Sequence, residues 1–205
     1  MINHEAVRKR LGPGFILVGV FALSFAGGRY ALGAVEADRA RRAWAQVSAH
    51  QAVMSAKLAA VYDDKMSRDE GTAVARLVIP KIGLDEVVLE GTSERTLNAG
   101  PGHISWSPLP GAQGNAIISA HRDRHFRNFD QLKVGDTITT ELRSRTTTWV
   151  IVSRRVVDKD SRPLLRTNDT TLTLTTCWPI RLVGTAPDRL IVTAKPVKTV
   201  RERRG

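Results

Sequence analysis

The chain of 205 residues has one cysteine, few aromatic residues and too few acidic ones to balance its bases. A single thiol cannot form an internal disulfide, so Cys177 is either a small buried hydrophobe or a group kept for its reactivity. Aromatic residues make up 5% of the sequence, and the arginines scatter through it without aromatic interleaving. Signatures of nucleic-acid readers are absent too, so nucleic acid is not an expected partner. Asp and Glu number 20 against 31 Lys and Arg, leaving +11. That balance favours anionic partners such as phospholipid headgroups or cell-wall polymers, and it does not bear on fold. Residues 1–72 carry 10 basic and 7 acidic side chains and the remainder 21 and 13, so the later part is the basic part. Hydrophobic residues at 42% suffice for a core and argue against disorder.

The amino-terminal region opens with Arg8, Lys9 and Arg10 and then runs uncharged from Leu11 to Gly28. As a helix these positions span roughly 27 Å, close to a bilayer core, and Ala31 to Val35 extend the stretch if Arg29 snorkels. A single membrane span over residues 1–35 is the expectation, with a cleaved signal peptide as the competing reading, since small residues surround Ala26 to Gly28. Basic residues on both flanks leave the orientation open. From Ala34 to Met66 the chain is rich in alanine and charge. Trp44, Val47, Gln51, Met54, Leu58 and Val61 recur at steps of three and four, predicting a helical stalk with one narrow apolar stripe interrupted by Gln51. The stripe covers under three heptads, which makes a coiled-coil dimer the lesser alternative. A polar linker ending near Gly71 closes a 36–72 stalk segment. Residues 73–198 then form the globular domain, and 199–205 a basic tail.

Within the domain the helical period disappears. Short β-branched runs at 75–80, 115–120, 136–142, 146–157, 171–176 and 189–194, with a weaker one at 86–89, predict a mainly β domain of seven or eight strands, a sandwich or barrel. "PLPGAQGN" (108–115) and "LKVGD" (132–136) supply turns, Gly135 being free to take positive φ.

Two of these runs end in residues with chemistry. "IISAHRDRHF" (117–126) passes from an apolar strand to His121, and "TLTLTTCWPI" (171–180) passes to Cys177, while "APDRLIV" (186–192) begins a strand with Arg189. A thiol attacks a carbonyl only as thiolate, so it needs a base or cation nearby. His121 can carry a proton to a leaving amine, and Arg189, which stays charged, can stabilise a thiolate or a developing oxyanion. Plainer readings exist: a surface histidine, and an arginine paired to Asp188. His121 and His125 also form an H-x-x-x-H pair, but the loop-like context and the lack of a third ligand other than Asp123 argue against a metal.

These motifs resemble the sortases, membrane-anchored cysteine transpeptidases. "TLTTCWPI" (173–180) is similar to the family's T-L-x-T-C strand end, "ISAHRDRHFRNFDQLKVGD" (118–136) to its histidine segment, and "GTAPDRLIV" (184–192) to the start of its last strand. The short Cys-to-Arg spacing and the H-R-D sequence look most similar to class D sortases and the Gram-negative-type ones. The resemblance covers about residues 74–197 and implies an eight-stranded sortase-type β-barrel behind a transmembrane helix and helical stalk. It implies Cys177 as nucleophile, His121 as general acid–base and Arg189 as transition-state stabiliser, with Thr176, Thr175 and Trp178 beside the substrate. It further implies cleavage of an LPxTG-like signal between Thr and Gly through a thioester, transfer to an amine of a cell-wall peptide or protein, and no cofactor or metal. The place implied is the cell membrane, single-pass, with the catalytic domain on the extracytoplasmic side, periplasmic in a Gram-negative cell. Ala120 departs from the glycine usual before the histidine, and the arginine-rich 122–127 leaves the substrate-side surface open. A hydrolytic cysteine peptidase and a non-catalytic tethered barrel are the alternatives. Papain-like enzymes fit poorly because their cysteine precedes the histidine and opens a helix, and L,D-transpeptidases because their histidine lies close before the cysteine in a glycine-containing motif.

Overall fold

A computed structural model describes residues 4–51, 69–161 and 167–197. One helix, α1 (His4–Gln51), precedes eight strands: β1 (Ala73–Ile79), β2 (Leu84–Glu90), β3 (Gly102–His103), β4 (Asn115–Ser119), β5 (Thr137–Glu141), β6 (Thr146–Asp158), β7 (Thr171–Trp178) and β8 (Asp188–Pro196). A short helix, α2 (Glu94–Ala99), lies between β2 and β3. The strands close into a barrel in the order β1-β2-β3-β4-β7-β8-β6-β5. Closure removes free sheet edges. Alternation supplies the inside: Leu77 and Ile79, Ile118, Ile138, Trp149 and Ile151, Leu172 and Leu174, and Leu190 and Val192 form one buried cluster. Trp149, at its centre, donates its indole N–H to the Thr140 hydroxyl at 2.8 Å, so the largest core side chain leaves no polar atom stranded. Gly135 takes φ 96° in the turn before β5, as the sequence requires of it.

α1 runs without interruption through the position where anchor and stalk were expected to divide. Gly27 and Gly28 weaken a helix without ending it, and the segment between them and Gln51 holds no proline. Side chains of residues 1–18 lie outside the described ones; among the described residues no helix is long and apolar enough to cross a membrane. Val20, Phe21, Leu23 and Phe25 stand exposed on α1. The side chains of stripe positions Val47 and Gln51, the stripe positions Met54 to Val61 and the tail 199–205 also lie outside what is described. Trp44 is buried, and it packs with Val87, Leu89 and Ala99. The face that docks on the barrel is Gly33, Ala37, Ala40 and Trp44, at steps of four, three and four.

Small side chains set how closely α1 approaches. A Cβ at Gly33 would come within 2.6 Å of the Asn98 carbonyl oxygen and 3.1 Å of an Arg124 guanidinium nitrogen. Ion pairs flank the contact, Glu36 with Arg95 at 2.8 Å and Arg41 with Glu86 at 3.5 Å, but they are partly exposed and contribute little. Shape therefore decides the docking. Gly33→Val is expected to destabilise the docked helix by about 1–3 kcal/mol, seen as faster hydrogen exchange across α2 with the barrel core unchanged. Unaltered exchange in α2 would mean that the helix is held by something other than this close approach.

A second buried feature is polar. Glu90 and His103, both 0% exposed, meet at 2.8 Å between Oε2 and Nδ1. His103 Nε2 faces Ser107 Oγ at 3.0 Å and the Pro108 carbonyl at 3.1 Å. The Ser107 hydroxyl donates to the Ile104 carbonyl at 2.7 Å and accepts from the Ile117 amide at 3.1 Å. With its one proton committed, that hydroxyl can only accept from Nε2, so His103 donates there. One further proton is shared between Nδ1 and the Glu90 carboxyl, and the pair ties the short strand β3 to β2.

Candidate active site

Strand order brings three remote segments to one rim. β7 lies between β4 and β8. It runs parallel to β4 with Thr175 opposite Ser119, and antiparallel to β8 with Cys177 opposite Arg189. His121 and Cys177 each lie two residues beyond the Ser119–Thr175 pair on strands of the same direction, and Arg189 sits directly across from Cys177. The Arg189 Nη1 donates to Cys177 Sγ at 3.1 Å. Cys177 is the free thiol and is half-buried, shielded but open to a substrate.

The histidine turn is fixed from two sides. On β7, the Thr175 carbonyl accepts from the Ala120 amide at 3.2 Å, and the Thr176 hydroxyl donates to the Ala120 carbonyl at 2.7 Å. From within, Phe126 and Phe129 are fully buried and stacked with centroids 4.2 Å apart, pinning the chain after His121 to the core. The turn itself closes through the Phe126 amide on the His121 carbonyl at 3.1 Å. Burial holds the His121 imidazole below the usual histidine range; Asp123 and Glu94 raise it, and Arg124 and His125 lower it. A neutral imidazole at neutral pH is free to accept a proton.

The sequence-nominated residues divide by face. Thr175 and Cys177, two apart, share one side of β7, whereas Trp178 packs against the barrel core and carries the Arg154 guanidinium 5.5 Å from its ring centroid. Thr176 is buried, and its hydroxyl is spent on Ala120. His125 is turned to Glu86, its Nδ1 3.4 Å from the carboxylate, and no group of three metal-ligating side chains exists among the described residues. Burial alone would raise the Glu86 carboxyl; the hydrogen bond and charge of His125, with Arg41, outweigh it and hold Glu86 low.

Arg122 was not singled out from sequence. Its guanidinium donates to the carbonyls of Pro179, at 2.9 Å, and Gly184, gripping the β7–β8 loop that joins Cys177 to Arg189. The only sequence signal was its place beside His121. Arg122→Ala is expected to loosen this loop, speeding proteolysis near the exposed Val183 and lowering kcat/KM for peptide cleavage about tenfold. An intact loop and unchanged kinetics would show that Ile180 and Ala186, both buried, hold it unaided.

Glu90, His103 and Ser107 also fall in the order of a hydrolase triad. Ser107 is 1% exposed and its proton is committed to Ile104, so that trio is structural.

The sequence and the barrel are both similar to those of known proteins. A family model described as the sortase domain matches residues 77–197. The chain is 37% identical over 131 residues to sortase D of Bacillus subtilis (strain 168), covering 63% of this chain and 66% of that protein, a little under two thirds of the relative's length. Among solved structures, the Clostridium perfringens sortase D5 transpeptidase superposes with a TM-score of 0.64 at 25% identity, over 82% of this chain and 99% of that one. C. perfringens sortase C, solved with the C-terminal cell wall sorting motif, gives 0.58 at 26% identity over 64% and 74%.

Proposed function

The chain belongs to the sortase family, and from that premise we propose that it is a cysteine transpeptidase in which Cys177 is the nucleophile, His121 the general acid–base and Arg189 the electrostatic stabiliser. The observation that carries the reading is the 3.1 Å contact from the Arg189 guanidinium to Cys177 Sγ across paired strands, on the rim where β4 delivers His121. A cation held 3.1 Å from the sulfur keeps its charge and is placed to face the oxyanion that forms when the carbonyl is attacked.

The substrate on this reading is a protein with an LPxTG-like carboxy-terminal signal. Cys177 gives its thiol proton to His121 and its sulfur adds to the Thr carbonyl carbon; the C–N bond to Gly breaks as His121 passes that proton to the leaving amine, and a thioester remains. An incoming amine of a cell-wall peptide or protein then adds to the thioester carbonyl, loses a proton to His121, and expels the thiolate. Water in place of the amine gives the hydrolytic alternative. Thr175, on the Cys177 face of β7, lies where the peptide would run, while Thr176 and Trp178 shape the rim from inside.

The uncharged stretch Leu11–Gly28 and the exposed apolar side chains from Val20 to Phe25 support α1 as a single-pass anchor, with the barrel on the extracytoplasmic side. The test of the chemistry is to mix the protein with LPxTG-like peptides, with and without hydroxylamine, and read intact mass. A thioester adduct mapped to Cys177 and a peptide hydroxamate are expected. Cleavage without hydroxamate would favour hydrolysis, and no adduct from folded protein with any peptide would favour the non-catalytic barrel.

A further inference from the structure

Between α1 and the barrel lies a cavity of about 270 Å³ that Cys177 does not line; its walls include Tyr30, Arg41, Arg124, His125, Arg127 and Asn128, with Glu86 beside them. Its charges do not cancel. Glu86 is met by Arg41 at 3.5 Å and by His125 at 3.4 Å. Arg124 rests over the Tyr30 ring at 4.5 Å and donates to the Asn98 carbonyl, neither of which removes its charge. Arg127 is exposed and has no ion pair among the described residues. One buried polar atom is also unprovided for: His125 Nε2 has no hydrogen-bond partner. A cavity with surplus guanidinium and an unpartnered imidazole nitrogen suits a tetrahedral oxyanion, since the guanidinium fork matches phosphate oxygens and the imidazole nitrogen offers one more hydrogen-bonding atom.

We propose that this cavity binds a phosphate ester, and that in the membrane the ester is the headgroup of an anionic phospholipid. The second half rests on the reading of α1 as an anchor. Tyr30 follows Gly28 by two residues, about 3 Å along the helix, so a span ending at Gly28 opens the cavity at headgroup depth. The continuous helix leaves no joint that could carry the barrel away. Phosphate binding there would cross-brace α1 against the 124–128 segment, a few residues beyond His121.

The experiment uses the full chain, first in neutral detergent and titrated with glycerol 3-phosphate, then in bilayer discs of phosphatidylcholine with and without phosphatidylglycerol. Hydrogen exchange of residues 30–41 and 121–128 is the readout, which does not depend on peptide cleavage. Glycerol 3-phosphate is expected to slow exchange in both segments, Arg127→Gln to weaken binding about tenfold, and Arg124→Gln/Arg127→Gln to abolish it. Arg145→Gln, on the β5–β6 turn, should bind as wild type. Phosphatidylglycerol should protect the same segments beyond phosphatidylcholine alone. Absence of protection by glycerol 3-phosphate, or equal binding by the double variant, overturns the site. Protection by glycerol 3-phosphate without any by phosphatidylglycerol overturns the headgroup assignment and leaves a site for a soluble phosphate ester.

Discussion

Cys177→Ala should abolish peptide cleavage and thioester formation, a loss on the order of 10⁴-fold or more as for nucleophile removal in other acyl-transfer enzymes, while the barrel stays folded. The half-buried thiol sits at the end of β7, past the Leu172–Leu174 core, so an alanine there opens little space. Arg189→Ala should cost about 10²–10³-fold in kcat, because it removes the N–H that lies 3.1 Å from the sulfur and the charge available to the oxyanion. Arg189→Lys should fall between, keeping the charge and losing the planar fork. Removing both groups should be little worse than removing Cys177 alone, since the arginine has no transition state to stabilise once the nucleophile is gone. Peptide cleavage followed by chromatography, with intact-mass detection of the adduct, reads all four variants. Wild-type cleavage by Cys177→Ala would end the assignment.

His103→Ala should destabilise the barrel by about 3–5 kcal/mol, measured by urea unfolding with tryptophan fluorescence. The loss is large because the change removes the imidazole that meets the Glu90 carboxyl at 2.8 Å, where both side chains are 0% exposed. Adding Glu90→Leu in the His103→Ala background should recover part of the stability, as removing both members of a buried polar pair is cheaper than removing one. Ser107 tolerates this, because its hydroxyl keeps the Ile117 donor and the Ile104 acceptor. A double variant weaker than the single would show that the pair's worth lies in shape and not in polar pairing.

The strands that supply most of the core were legible because one face of each is buried and the other is not, which writes a period of two into residues such as Leu172 and Leu174 or Trp149 and Ile151. β3 was not legible, since two residues carry no period; it exists because Gly102 and His103 find partners on both β2 and β4. Glu90 and His103 were missed for a related reason: a charged residue near a strand end looks like surface, and only barrel closure makes it interior. The arginine-rich stretch after His121 looked like a free loop, yet Phe126 and Phe129 inside it are fully buried. Those two aromatics were the available signal. Cys177, His121 and Arg189 could be named from their motifs, whereas Arg122 acts through backbone carbonyls of a distant loop, a contact that leaves no pattern in sequence.

The parallel pairing of β4 with β7 has a consequence in time. Ser119 and Thr175 are joined through more than fifty intervening residues, and β3, β5 and β6 belong to the same closed ring. Such distant pairings must overcome loop-closure entropy before any contact rewards them, so they belong to the later events of folding. The β7–β8 hairpin, local in sequence, brings Arg189 to Cys177 early. His121 joins only when the ring shuts. On the proposed roles of Cys177 and His121, an unfolded chain is therefore inert, and the thiol meets its proton acceptor only as the barrel becomes complete.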